Sequence, residues 1–435
     1  MKNIAPTTLK LLVWFMAWGL SLHWGLAQHT GESTTYTLVV EGFDWGPGAN
    51  KVILPWEGTL AQAKASDFSV TAYKTAAGTT LPKAEAEGPR KVVHAYVSDE
   101  EGRAIPKGKH LTLVLFVSPL EAISSPMKYL TENGRGINKW VKYQLKIRHL
   151  PSKREWNTEG RRLRPQIDRF DLSGTFSLGK TKLTYAHFVP EERSGKKPLI
   201  IWLHGGGEGG TDPSIALAAN KATNYASPEI QAIFNGAHVL VPQTPTFWMQ
   251  NAQGRYTRGK ENDIYNEALM ELIKMYVENH PNIDTRKIYI GGCSNGGYMS
   301  LKLVLRHPHY FAAAYISALA YEARHITDAQ IASIAHVPIW FIHAKDDTVT
   351  PPEDTVVPLY KRLRDAGATK THFSYYDHVV DLSGLFGGAD FHYNGHLSWI
   401  YSHSNHAHLD FNGGPVMAEG RPVNLLQWMA LQQKP

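Results

Sequence analysis

The first third of the chain alternates between short apolar runs and turn-forming stretches. Runs at 36–40, 68–73, 91–97, 111–117 and 140–147 are separated by turn signals at 44–48, 77–78, 98–102 and 106–108. In the last run Trp140, Tyr143, Leu145 and Ile147 partly alternate with Lys142, Gln144, Lys146 and Arg148. That period puts successive side chains on opposite faces, so these are strands with one buried face. Short strands at this spacing, with no helical period, predict a small immunoglobulin-like β-sandwich over 33–150. From residue 171 the texture changes. Strand-like runs at 183–189, 198–203, 237–241, 287–290, 312–317, 338–343 and 371–376 alternate with helical patterns. The clearest helix is 264–279, with Ile264, Ala268, Leu272 and Met275 on one face and Pro281 just beyond; 295–307 and 352–366 are two more. This alternation predicts a mostly parallel sheet over 171–435, covered by helices on both faces, with its site at the carboxyl ends of the strands.

Composition adds three constraints. A length of 435 residues, 43% hydrophobic and 19% charged, fits a globular protein of two domains. Lys2 and Lys10 precede an apolar run at 11–27 that closes on Gly25, Leu26 and Ala27. This is the pattern of a secretory signal peptide cleaved after Ala27, which predicts a secreted or periplasmic protein with no stable membrane anchor afterwards. The formal net charge is +6, and losing the leader removes two positive charges. Residues 148–169 hold seven Lys and Arg against Glu155, Glu159 and Asp168, so the basic excess is local. It lacks the repeated aromatic interleaving of a nucleic-acid patch and has no nucleic-acid module, and 151–170 is read as a solvated linker without a nucleic-acid partner. Trp45, Trp56 and Tyr73 are read as core or interface aromatics, ahead of a sugar-binding platform.

The chemistry gathers at 287–299, Lys-Ile-Tyr-Ile-Gly-Gly-Cys-Ser-Asn-Gly-Gly-Tyr-Met. A strand turns through Gly292, Cys293, Ser294, Asn295 and Gly296 into a helix, which is the G-x-S-x-G elbow that exposes a nucleophilic serine. Glycines flank the serine because its neighbours must approach without a Cβ. Cys293, the only cysteine, is the competing nucleophile. Centring the elbow on it loses the second glycine, and the serine is preferred. The strand at 198–203 ends in His204, Gly205, Gly206, Gly207, Glu208, Gly209 and Gly210. Such a loop presents backbone N–H groups to an oxyanion. Gly206 and Asn295 are the expected donors, with Gly207 as an alternative.

The strand at 338–343 is followed by Asp346 and Asp347. Asp347, four residues before Pro351, is the preferred orienting acid and Asp346 the runner-up. Among the later histidines, His396 follows the loop after the last strong strand and is the expected base. The chain order Ser294, Asp347, His396 is then the Ser…Asp…His order of an α/β-hydrolase. Trp248, Tyr298 and Trp399 are candidate pocket residues beside these elements. His406, His408 and Asp410 imitate the start of a metal site, but no further histidine follows and Phe411 stands where a ligand is needed. The expectation is no metal and no organic cofactor.

Four segments together resemble a known family: Val40 to Gly48, Trp202 to Gly210, Gly291 to Met299, and Gly395 to Tyr401. They are similar to bacterial carboxylesterases with an N-terminal immunoglobulin-like domain, related to prolyl-oligopeptidase-like and polyhydroxybutyrate-depolymerase-like α/β-hydrolases. The resemblance implies a triad of Ser294, Asp347 and His396, a first domain packed beside the catalytic one, and short-chain or small esters as substrates. A peptidase, or a hydrolase of polyester, feruloyl or acetyl esters, would use the same triad. A polysaccharide-binding protein with a vestigial hydrolase domain would show a damaged one, and this sequence shows none.

Overall fold

The alternation of the first third becomes two packed sheets. The computed structural model describes residues 34–132, 134–191 and 194–434, so the leader expected at 1–27 lies outside the described residues. The strands are β1 (Thr35–Phe43), β2 (Gly46–Leu60), β3 (Phe68–Thr75), β4 (Glu87–Pro89), β5 (Val92–Ser98), β6 (Gly108–Leu115), β7 (Met127–Glu132), β8 (Arg135–Trp140), β9 (Lys142–His149), β10 (Glu155–Trp156) and β11 (Thr158–Leu163). One sheet runs β11-β1-β2-β6-β5 and the other β10-β9-β3-β4. Tyr143, Leu145 and Ile147 of β9 are buried in the core shared by both sheets, while Lys142, Gln144, Lys146 and Arg148 are exposed.

Three features depart from the sequence expectation. β2 begins at Gly46, within the stretch read as a turn, and only Asp44 and Trp45 form the bend. β7 and β8 form an unanticipated hairpin, paired from Met127↔Trp140 to Glu132↔Arg135. The stretch read as a linker supplies β10, antiparallel to β9, and β11, parallel to β1. Its charges hid the strands, because they are paired on the sandwich surface. Arg161 meets Glu101 at 2.6 Å, and Arg162 meets Glu159 at 2.7 Å. The Arg154 guanidinium lies 5.0 Å over the Trp156 ring.

The second region holds β12 (Asp171–Leu178), β13 (Thr181–Phe188), β14 (Lys197–Leu203), β15 (His238–Gln243), β16 (Ile283–Cys293), β17 (Ala313–Ser317), β18 (Ile339–Ala344) and β19 (Thr371–Tyr376). They form one sheet in the order β12-β13-β15-β14-β16-β17-β18-β19. β12, β13 and β15 pair antiparallel, and all pairs from β15 to β19 are parallel. Both faces are covered, which explains the unbroken apolar runs. Leu199, Ile201, Ile288, Ile290, Ile339 and Phe341 enter one core. Ile200, Trp202, Tyr289, Trp340 and Ile342 enter the other. Helices α1 (Asn266–Asn279), α2 (Asn295–Arg306) and α3 (Val356–Asp365) cover the first face through Leu269, Ile273, Leu301, Val304, Leu359 and Leu363. α3 starts later than the expected 352, since Pro352 to Thr355 form a turn.

The hairpin β7–β8 joins the two regions. Met127 packs into the second core of the α/β region. Trp140 Nε1 donates to Ser214 Oγ at 2.8 Å, and Lys221 meets Asp44 at 2.8 Å.

Candidate active site

β16 is the central strand of the sheet, flanked by β14 and β17. Its end turns into α2 so tightly that no side chain fits beside the corner. A Cβ on Gly296 would lie 2.0 Å from the Leu203 carbonyl oxygen, and one on Gly292 would lie 2.6 Å from the same atom. Ser294 between them holds φ 53° and ψ −114°, a conformation that L residues avoid. Its N–H donates to Ser317 O at 3.0 Å, and its carbonyl accepts from Tyr298 N at 2.9 Å. These bonds hold the strained residue at the start of α2, where its side chain lines an open cleft. Cys293 faces the other way. It is fully buried in the second core, where its sulfur accepts from Asn220 Nδ2 at 3.2 Å. Burial pushes its thiol well above the ordinary range, so it is poorly placed to act as a nucleophile.

The glycine loop after β14 is held by His204. This ring is fully buried, with Nδ1 2.6 Å from Gly205 O, while Nε2 accepts from Thr244 N at 3.2 Å. Only the neutral tautomer with hydrogen on Nδ1 satisfies both contacts. Burial lowers its pKa to about 4, which keeps it in that form. The Gly205 N–H is directed at Cys293. Gly206 opens a short 3₁₀ turn, Gly206–Glu208, and Asn295 is the first residue of α2. First residues of helical turns have N–H groups without an intrahelical acceptor. Both residues line the cleft, and a Cβ on Gly206 would lie 3.8 Å from that of Asn295. Gly207 lines the cleft as well, packed against the hairpin, 2.8 Å from the Tyr129 ring by the same measure.

Asp347 follows β18 and is 2% exposed. Its Oδ2 stands 2.9 Å from His396 Nδ1. The same oxygen lies 3.0 Å from His343 Nε2 and accepts from Thr350 Oγ1 at 2.8 Å. Its Oδ1 accepts from Val349 N at 2.8 Å and Thr350 N at 3.0 Å. Burial alone would raise its pKa, but hydrogen bonds and charge from His343 and His396 outweigh burial and hold the carboxyl far below the usual carboxylate range. Asp346 is partly exposed, and its Oδ2 meets His378 Nδ1 at 2.8 Å. The two neighbouring aspartates thus have different histidine partners, and Asp347 is the one beside His396.

Ser294, His396 and Trp399 line one cleft of about 1090 Å³ with Tyr129, Met249 and Tyr256. Trp399 stands edge-on to His396 at 5.4 Å. Two pocket expectations need correction. Trp248 is fully buried, and its Nε1 donates to His204 O at 3.1 Å. Tyr298 is also fully buried, with its hydroxyl donating to Asp263 Oδ2 at 2.8 Å. Both aromatics brace the loop and α2 from behind, because each polar tip finds a buried partner there.

Sequence reasoning missed His343, Thr350, Glu208 and Asn138. His343 stands four residues before Asp347 at a strand end, which was a signal for contact. Glu208 was the one charged residue in a glycine loop. Asn138 lies on the unforeseen hairpin and gave none. Among the described residues no group of three or more His, Cys, Asp and Glu is arranged to hold a metal ion. Asp410 is instead paired with His372 Nδ1 at 2.8 Å, and His406 stacks on Tyr401 at 5.7 Å.

The buried rings give a stability prediction. His403 is fully buried against Trp202 and Tyr225, and burial lowers its pKa from 6.5 to about 3. Above about pH 6.5 both folded and unfolded chains keep it neutral, and it has no pH effect. As pH falls from 6.5 the unfolded chain takes up the proton first, so stability drops until about pH 3. His204 adds a loss of the same sign down to about pH 4. Glu208 acts oppositely, since burial raises its pKa in the folded state. Replacing His403 by Phe should therefore flatten the fall in unfolding free energy between pH 6 and 4.5 by about 1.4 kcal/mol per pH unit. Denaturant titrations of both proteins across that range check this; parallel slopes would contradict it.

With this geometry in view, two family matches become informative. Residues 35–158 match the esterase immunoglobulin-like N-terminal domain. Residues 185–378 match the phospholipase/carboxylesterase family, a span that includes Ser294 and Asp347 and ends before His396. No curated protein sequence matches the chain significantly. Among solved structures, a thermostable esterase is 23% identical with a TM-score of 0.70, covering 92% of this chain and 100% of that one. The acylaminoacyl peptidase of Pyrococcus horikoshii is 13% identical with a TM-score of 0.40, covering 67% and 49%. A ferulic acid esterase is 17% identical with a TM-score of 0.36, covering 53% and 92%. The first of these shares the fold from the sandwich through the α/β sheet. The chain is thus a carboxylic ester hydrolase whose first region matches the esterase immunoglobulin-like domain and whose α/β region matches the phospholipase/carboxylesterase family.

Proposed function

We propose that the protein is a serine carboxylesterase acting on small carboxylic esters through Ser294, His396 and Asp347. The observation that carries this reading is the 2.9 Å contact between Asp347 Oδ2 and His396 Nδ1 in the same cleft as the strained Ser294. His396 accepts the Ser294 proton on Nε2 as Oγ attacks the ester carbonyl. Asp347 keeps hydrogen on Nδ1 and stabilises the imidazolium that forms. The N–H groups of Gly206 and Asn295 hold the oxyanion. The tetrahedral adduct expels the alcohol, which takes the proton from His396. Water then attacks the acyl-enzyme by the same route and releases the acid. These steps use no metal or organic cofactor. Residues 1–27 act as a signal peptide, and the mature enzyme works outside the cytoplasm.

A cleft of about 1090 Å³ is roomier than a short acyl ester requires. That favours a bulky alcohol or acyl part, as in feruloyl or polymer esters, as the second reading. Rates on p-nitrophenyl esters of increasing acyl length, on a feruloyl ester and on a peptide anilide, each with and without chelator, test both. Chelator-resistant hydrolysis of the short esters is the expected result. Faster turnover of the feruloyl ester would move the assignment to bulky esters. Anilide cleavage without ester hydrolysis, or loss of activity with chelator, would overturn the proposal.

A further inference from the structure

Glu208 is an acid in a place that should repel one. It is 5% exposed and lies two residues beyond Gly206, the expected oxyanion donor. A charge so close to a developing oxyanion is unfavourable unless it is held and neutralised. Each carboxyl oxygen has one side-chain amide donor, and the Gly205 N–H is directed at the carboxylate as well. Asn220 Nδ2 donates to Oε2 at 3.1 Å, and Asn138 Nδ2 donates to Oε1 at 2.7 Å. The backbone of Glu208 is also fixed. Its carbonyl accepts from Gln243 Nε2 at 2.8 Å, and its N–H closes the turn onto Gly205 O at 3.4 Å.

Asn220 also donates to the sulfur of Cys293, the residue before Ser294. Asn138 comes from β8, in the immunoglobulin-like region. One hydrogen-bonded chain thus runs Asn138, Glu208, Asn220, Cys293, from one region into the elbow of the other. Glu208 Oε2 also stands 2.8 Å from where a Cβ on Gly205 would be, so the carboxylate packs directly on the glycine loop. If Asn138 is removed, Oε1 loses its donor in a buried site, and the carboxylate must move or take a proton. Either response shifts the turn that carries the Gly206 N–H.

We propose that Asn138 of the immunoglobulin-like domain is a positioning residue for the oxyanion loop, acting through the Glu208 carboxylate. The inference rests on the serine esterase reading, with Gly206 N–H as an oxyanion donor. Asn138 is only half-buried, so Asn138→Ala and the nearly isosteric Asn138→Leu should fold. The test is p-nitrophenyl butyrate kinetics well below the melting temperature, affinity for an alkyl boronic acid that forms a tetrahedral anion on serine, and the melting temperature. Both variants should lose about 10-fold in kcat with KM changed less than about two-fold, because a small misplacement of a donor is felt mainly in the transition state. Boronate affinity should fall with kcat while the melting temperature stays near wild type. Added to Glu208→Ala, the Asn138 change should cost nothing more. Wild-type kcat and boronate affinity in both Asn138 variants would overturn the inference alone, as would a full additional loss in the double variant. A wild-type enzyme that neither hydrolyses the ester nor binds boronate would overturn the esterase reading, and the inference with it.

Discussion

Ser294→Ala is expected to abolish ester hydrolysis, lowering kcat by about 10⁴-fold to 10⁶-fold, with no loss of fold. The size of the effect follows from what the residue does. No other hydroxyl at the head of α2 can form the acyl-enzyme, and the remaining cleft offers only oxyanion donors and binding. The fold is spared because alanine also has a Cβ and tolerates φ 53° no worse than serine does. The strain is imposed by Gly292, Gly296 and the Ser317 carbonyl, none of which changes. Steady-state rates on a short p-nitrophenyl ester, with melting curves of both proteins, check this. Activity within ten-fold of wild type would point to another nucleophile.

Asp347→Asn should lower kcat by about 10⁴-fold, while Asp346→Asn should stay within about two-fold of wild type. The carboxylate of Asp347 faces donors on both oxygens: His396, His343 and Thr350 on one, two backbone N–H groups on the other. His343 Nε2 also lies 2.9 Å from Thr350 O, so that nitrogen carries hydrogen and cannot accept from an amide. An asparagine would turn an NH₂ group towards donors on one side or the other. It would favour the wrong tautomer of His396 and leave a buried clash, which adds about 2–5 kcal/mol of instability. Among the described residues Asp346 has only its partly exposed pair with His378, worth about 0–1 kcal/mol. Rates and urea midpoints of the two variants separate these roles. A larger loss in Asp346→Asn would reverse the assignment.

The α/β layout was legible because its strands are buried on both faces and its breakers are sharp. Lys197–Leu203 and Ile339–Ala344 are buried at every position, and each is followed by a polar loop that holds a site residue. The elbow was legible because a close backbone crossing leaves glycines in the sequence. The pocket was harder. Trp248, Tyr298 and Trp399 all flank site elements in sequence, and only tertiary packing decides which ring faces the cleft. The β7–β8 hairpin was missed for a related reason. Its strand faces are mixed, since parts of both sides contact the α/β region, and clean alternation disappears. β11 was hidden by arginines whose partners, such as Glu101, lie far along the chain. Asn138 illustrates the general case, because its partner Glu208 is 70 residues away and on another domain.

The central claim is that Ser294 carries the acyl group. Labelling the enzyme with a fluorophosphonate and mapping the adduct by peptide mass spectrometry, alongside Cys293→Ala, tests it most directly. One adduct per chain on Ser294, unchanged in Cys293→Ala and absent in Ser294→Ala, is the predicted result. An adduct on another residue, or none while ester hydrolysis persists, would contradict it.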